Sequence, residues 1–435
     1  MKKSIIYLLF STVFLLSCES NDDTVFEESA DARLNAAIAS YEKQLVEAPY
    51  GWNAVIYPGG GGSYGFYFKF DDKNRVTMYS DFSEESAAKS KESSYRLKAM
   101  QTPALIFDTY SYLHILSDPD NEVNGGNLGE GLSSDFEFSI FPDSVKTESM
   151  TLVGRKNQSR LVLTKATQAQ AASYTAGNLS KGVLFNNVTK YQAYFKRVTF
   201  GNVTYEITLS PKTRTIKLTW LDGSTPKTFT TNYYFTETGV SFTSPLVNGS
   251  QTITGFTNVI WNASTAQVGI TANGVKSTVV SAIKPLSVDL AASRRWWQTP
   301  IESGTYWSSA DGFHVNGVDD AFGVADLKFG TEVFYSYIYQ PGLNSEYDLF
   351  GPLFYENNAV DFKYGHAPGP PRFTSDGRAI FEYVGTFGAV PTTGPVVQTA
   401  NLLFEPTGYY LIQTSETTYD MVSAKDAKSW ISWKL

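Results

Sequence analysis

Tyr64-Gly65-Phe66-Tyr67-Phe68-Lys69-Phe70 carries an aromatic ring at every second position. Side chains of a strand point alternately to opposite faces. The spacing therefore predicts a strand with Tyr64, Phe66, Phe68 and Phe70 on one side and Gly65, Tyr67 and Lys69 on the other. Asp71-Asp72-Lys73-Asn74 is turn chemistry, and Val76, Met78 and Ser80 continue the period on a paired strand. Upstream, Trp52, Ala54 and Ile56 alternate in the same way before the Gly59–Gly62 run.

Outward from this hairpin, one helix is expected ahead of it. Leu34, Ile38, Tyr41 and Leu45 form a stripe at helical spacing over Asp31 to Ala48, which Pro49 and Gly51 end. Asp81 to Ser93 reads as a polar loop and Leu105 to Leu116 as one or two strands. Met150–Gly154 and Arg160–Lys165 read as a hairpin. Thr167 to Ser173 reads as a helical linker into a second β unit, whose clearest piece is Val203 to Trp220. A helical start at Ser287 to Trp297 opens a third unit, and Ser423 with Asp426 predicts a last short helix reaching Trp430. Asn232–Phe242 and Asn401–Leu411 share polarity and read as a recurring hairpin, with Tyr95–Phe107 as a fainter copy. The expected fold is mainly β: antiparallel sheets, sandwich- or open-barrel-like, with a few capping helices in two or three units. The expected boundaries are 31–166, 167–285 and 286–435.

Ahead of these units, Lys2 and Lys3 precede an apolar run, Ile5 to Leu16, that ends at Leu15-Leu16-Ser17-Cys18. This pattern predicts a secretory signal over residues 1–17. A run of about a dozen residues falls short of the roughly 20 a spanning helix needs. The Leu-Leu-Ser-Cys ending resembles the bacterial lipobox, which implies acylation of Cys18, the chain's single cysteine. Glu19 to Ala30 is polar and acidic, so residues 18–30 are expected to be a lipidated tether. An acidic patch after the lipid-bearing Cys resembles the export signal of outer-surface lipoproteins. Net charge is −8 with no basic cluster, which argues against nucleic acid as a partner.

Further markers are Ala48-Pro49-Tyr50-Gly51-Trp52, Tyr79-Ser80-Asp81, Ser94-Tyr95-Arg96-Leu97, Phe107–His114, Ser117-Asp118-Pro119 and Ser134–Phe138. Together they resemble Bacteroidetes lipoproteins classed as domain of unknown function 4302. The resemblance implies a Bacteroidetes origin, a cell-envelope location and a setting among nutrient-uptake lipoproteins. It supplies no catalytic residue.

Local motifs for chemistry are sparse. Gly61-Gly62-Ser63-Tyr64-Gly65 fits G-x-S-x-G, but a strand rather than a helix follows the Ser, so a hairpin loop is the better reading. His114, His314 and His366 are the three histidines, and none has a second His or Cys at ligand spacing. His114 is expected at a core or edge position. Asp118, Asp120 and Asn124 lie in an oxygen-rich, Gly-ended loop, a weak calcium candidate without the EF-hand spacing. Asp71/Asp72, Glu84/Glu85 and Asp319/Asp320 are sequence neighbours, which suits solvated turns and not a glycosidase pair across a cleft. No catalytic residue or cofactor is expected from these patterns.

Trp296, Trp297, Trp307, Tyr409 and Tyr410 are the aromatics predicted to meet a ligand, since flat rings stack on sugar faces. The functional expectation is a lipid-anchored outer-membrane protein, facing outside, that binds a glycan or peptide without catalysis. Its expected partners are the membrane through its acyl chains, and an outer-membrane transporter or sibling lipoproteins. A glycan hydrolase and a structural or adhesive surface protein are the alternatives.

Overall fold

The aromatic stripe of Tyr64–Phe70 turns inward. In the computed structural model, which describes residues 28–435, eight antiparallel strands close into a barrel. They are β1 (Trp52–Tyr57), β2 (Tyr64–Phe70), β3 (Arg75–Ser80), β4 (Lys91–Lys98), β5 (Ala104–Phe107), β6 (Glu137–Val145), β7 (Ser149–Gly154) and β8 (Arg160–Lys165). Each pairs with the next, and β1 closes on β8 with Trp52 opposite Lys165 and Tyr57 opposite Arg160. Trp52, Phe66, Phe68, Phe70, Met78, Phe107, Phe138 and Leu163 belong to one buried cluster, so the barrel is a packed core and not a pore. Helix α1 (Ala30–Val46), capped by Ser29, adds Tyr41 and Leu45 to that cluster. The Trp52 indole N–H donates to the Leu45 carbonyl at 3.0 Å. The predicted signal 1–17, Cys18 and most of the tether lie outside the described residues.

Nine strands from Phe195–Phe200 to Val280–Ala282 form a second antiparallel sheet, whose last strand returns to pair with its first. Its core includes Tyr205, Ile207, Leu218, Tyr233, Phe235 and Phe256, together with Tyr67 and Tyr79 from the barrel's outer face. Tyr67 also stacks on Tyr174 at 4.7 Å. Thus β2 is covered on both faces. A third sheet of 13 strands spans Trp307–Ser309 to Ser429–Lys434, and helix Ala292–Ser303 packs into its core. Ala193, Phe195, Val422 and Ala427 make a small cluster joining the second and third sheets. The fold is mainly β, with antiparallel sheets in barrel or half-barrel units and few helices; the first unit is a fully closed barrel.

Several local expectations are corrected. The stretch read as a loop over Asp81–Ser93 holds helix Glu84–Ala88, whose Ser83–Ser86 capping box supplies the hydrogen bonds its polar composition obscured. The segment Leu105–Leu116 leaves strand geometry at Phe107, and Tyr112–Ile115 is one helical turn. Ser111 N–H donates to His114 Nδ1 at 3.1 Å, so the Nε2–H meets the Phe107 carbonyl, also at 3.1 Å. The predicted last helix is instead a turn and a strand: Asp426 accepts from Lys428 N–H, Ala427 takes φ 55°, and Ser429–Lys434 joins the sheet. The helix expected at Ser287–Trp297 begins at Ala292 and runs to Ser303. The recurring-hairpin reading fails at its second copy. Asn232–Phe242 is a hairpin, whereas Asn401 sits in helix Pro395–Leu403.

Candidate functional site

The third sheet has a core face and a groove face. Strands Thr418–Ser423, Ser429–Lys434, Trp307–Ser309 and Glu332–Gln340 lie side by side in it. Tyr419, Met421, Ile431, Trp433, Trp307, Tyr337 and Tyr339 fill its core. Strand alternation puts their neighbours on the other side: Thr418, Asp420, Trp430, Ser432, Lys434, Ser308 and Ser336. In register, Thr418 lies opposite Lys434, Lys434 opposite Ser308, and Asp420 opposite Ser432. These residues line an open groove of about 770 Å³, walled by Ala310–Gly312, Asp319 and Asp320 and flanked by Tyr306 and Tyr335.

One end of the groove is built on Trp430. The His314 ring stacks on it at 3.7 Å and 19°. Gly317 N–H donates to His314 Nε2 at 3.1 Å, so the Nδ1–H is the donor to Asp319 Oδ1 at 2.5 Å. Both imidazole nitrogens are therefore engaged: Nδ1–H donates to Asp319, and the one basic lone pair, on Nε2, accepts from Gly317. Asp320 accepts backbone N–H groups of Gly312, Val324 and Ala325. Asp420 accepts from the Tyr194 hydroxyl and from Ser432 Oγ, each at 2.6 Å. Burial holds the Asp420 carboxyl above the ordinary carboxylate range, against the hydrogen bonds from Ser432 and Tyr194 that pull it down. Ser336 is different. It is 6% exposed, and its hydroxyl has no protein partner among the described residues.

The aromatics predicted from sequence lie mostly on the wrong side for a ligand. Trp296 and Trp307 are fully buried and stack at 6.0 Å and 7°. The Trp307 indole N–H donates to the Trp296 carbonyl. Tyr409 is fully buried and Tyr410 is 7% exposed. Trp297 is half-buried and donates to Asp348 Oδ2 at 2.8 Å, a carboxylate that also accepts from Tyr339 and Gly342. Hydrophobic burial claimed these rings for the core. Their polar neighbours form the groove, and the alternation Ser429-Trp430-Ile431-Ser432-Trp433-Lys434 is the signal that marks it.

In the calcium candidate loop, Asp118 Oδ1 accepts from Asp120 N–H and Oδ2 from the Tyr110 hydroxyl. Asp120 Oδ1 accepts from Glu122 N–H, and Asn124 bonds the carbonyls of Ile115 and Asp118. These oxygens shape a turn. Among the described residues no group of three or more His, Cys, Asp or Glu is arranged to hold a metal ion, and no helix is long and apolar enough to cross a membrane. Cys18 lies outside the described residues.

No curated protein matches the chain. A solved structure, the octameric penicillin-binding protein homologue from Pyrococcus abyssi, is similar at 10% identity and a TM-score of 0.15. The match covers 35% of this chain and 37% of that one, so the chain spans little more than a third of that protein's length. A family model described as a domain of unknown function matches residues 22–262, which hold the barrel and most of the second sheet. The groove residues lie beyond that span. With more than half of its length matched, the chain belongs to the family of the domain of unknown function DUF4302.

Proposed function

We propose that this protein is a lipid-anchored lipoprotein of the outer membrane that binds a glycan or peptide without catalysis and presents it for uptake. The observation that carries the reading is the groove on the outer face of the third sheet. It combines a ligand-sized volume, a row of Ser and Thr hydroxyls and flanking tyrosines. The hydrogen bonds of His314 to Asp319 and Gly317, and of Asp320 to three backbone N–H groups, hold these side chains to their own loop, which favours binding over hydrolysis. The anchor rests on the Leu15-Leu16-Ser17-Cys18 pattern, and its partners are the membrane and a transporter or sibling lipoprotein.

The test is a thermal-shift screen of the full chain against polysaccharides and peptides. A ligand that binds only the folded state raises the melting point by mass action. A rise with one polymer class supports the reading. Flat melting curves throughout, with loss of surface attachment in a deletion strain, favour the structural or adhesive alternative.

A further inference from the structure

We infer that the groove takes a neutral glycan, with the Ser336 hydroxyl as the buried contact that orients one sugar ring. This rests on the binding reading above and narrows it.

Three features point the same way. The first is the lining. Ser308, Ser432, Thr414 and Thr418 place hydroxyls along the groove. Ser308 donates to the Lys434 carbonyl, Ser432 donates to Asp420, and Thr414 and Thr418 pair with each other. A hydroxyl that has donated keeps lone pairs to accept with, which suits the donating hydroxyls of a sugar. A peptide backbone instead favours an unpaired strand edge. In this floor the neighbouring strands pair with one another, Asp420 with Ser432, Ser308 with Lys434 and Ser309 with Tyr337, so part of the main chain is already taken.

The second feature is charge. Asp311, Asp319 and Asp320 face the groove against Lys434. Carboxylates outnumber the ammonium, so the local field repels uronic or sulfated chains.

The third is the Ser336 hydroxyl itself. Buried polar groups are nearly always paired, and one that is not calls for an explanation. Ser336 lies beside Tyr335, which is 55% exposed and whose ring stacks on Tyr355 at 6.2 Å. A sugar packed on Tyr335 brings hydroxyls toward Ser336. A buried hydroxyl without a partner costs the fold free energy, so a ligand contact accounts for it better than a structural role does.

The experiment measures binding of the full chain to neutral polysaccharides (α-glucan, β-glucan, mannan, xylan), to polygalacturonate and chondroitin sulfate, and to a peptide library. Binding to a neutral polymer is expected. Ser336→Ala and Tyr335→Ala should each weaken it about tenfold with the melting point unchanged. Preference for the polyanions or for peptides overturns the glycan inference and leaves the binding reading standing. Full affinity in both variants overturns the assignment of the contact. If no polymer of any class binds, the binding reading itself falls.

Discussion

The Arg214 guanidinium holds the Asp81 carboxylate across the joint between the barrel and the second sheet, at 3.3 Å with side-chain exposures of 4% and 0%. Asp81 Oδ2 also accepts Phe235 N–H at 2.7 Å, and Arg214 donates to the Asp81 carbonyl at 2.9 Å. The guanidinium lies over the rings of Tyr64 and Phe235, at 4.7 and 5.0 Å. Arg214 accepts a left-handed φ of 52° to reach this position. Such backbone costs about 1–3 kcal/mol and persists only where the surroundings fix it.

Asp81→Ala should therefore be costly. It leaves a buried guanidinium unpaired, a loss of about 3–5 kcal/mol for pairs of this kind. Urea denaturation measures it. The double variant Asp81→Leu/Arg214→Met should lose less than the two single variants added together, because it removes both charges at once. An additive double variant would argue against direct coupling.

Trp307→Ala should destabilise by about 3–5 kcal/mol, since it empties a fully buried site and removes the indole bond to Trp296. Ser308→Ala, one residue along on the groove face, should stay within about 1 kcal/mol. Comparable losses at both positions would contradict the two-faced reading of this sheet.

Those neighbouring positions also show what was legible in the sequence. Period-two alternation reveals strands and tells their two faces apart, as in Tyr64–Phe70. It does not say which face another unit will cover. Tyr67 and Gly65 sit opposite the barrel's aromatic stripe, yet the second sheet buries them, a contact made between residues about 170 apart. In the third unit the aromatic clusters suit sugar faces, but the same rings are the best core material. The groove was hidden for a different reason. Ser423 and Asp426 imitate a helix start reaching Trp430, which masks the opening of the strand Ser429–Lys434. Ser336 carries no local signal, because its isolation from partners is a property of the packed sheet.

Asp420 should give the fold a pH dependence of known sign. Its carboxyl is held above the ordinary range, mainly by burial, so the folded state keeps its proton where the unfolded chain has lost it. Stability then falls as pH rises from the unfolded value through the raised one, and the contribution is fully present below both. Asp420→Asn should make that slope shallower, leaving the share of Asp81, Glu206 and Asp348, which burial also raises. The check is the denaturation midpoint between pH 3 and pH 7; an identical slope in the variant would assign the effect elsewhere.

Cys18→Ala should move the protein from the detergent phase to the aqueous phase in a phase-partition assay. Two or more acyl chains anchor stably where one is marginal, and no described helix can replace them. Unchanged partition would remove lipidation as the anchor and weaken the outer-membrane assignment that depends on it.

Gly65→Ala tests why the chain carries a G-x-S-x-G pattern without a nucleophile. The Ser63 hydroxyl donates to the Tyr233 carbonyl at 2.9 Å, across the same joint. A Cβ on Gly65 would lie 2.3 Å from the Phe235 carbonyl oxygen and 3.3 Å from Asp81 Oδ2. Backbone cannot yield as a flexible side chain can, so the barrel and the second sheet must separate locally. Overpacking of this kind costs about 1–3 kcal/mol, and the separation should loosen the Arg214–Asp81 contact beside it. Gly65→Ala combined with Asp81→Ala should then cost less than the two losses added, because the first substitution has already weakened what the second removes. Hydrogen exchange of the Phe235 amide, which donates to Asp81, reports the same event locally: it should speed up in Gly65→Ala. Protection equal to that of the parent chain would mean that the joint absorbs the methyl group, and that the glycine is there only for its loop.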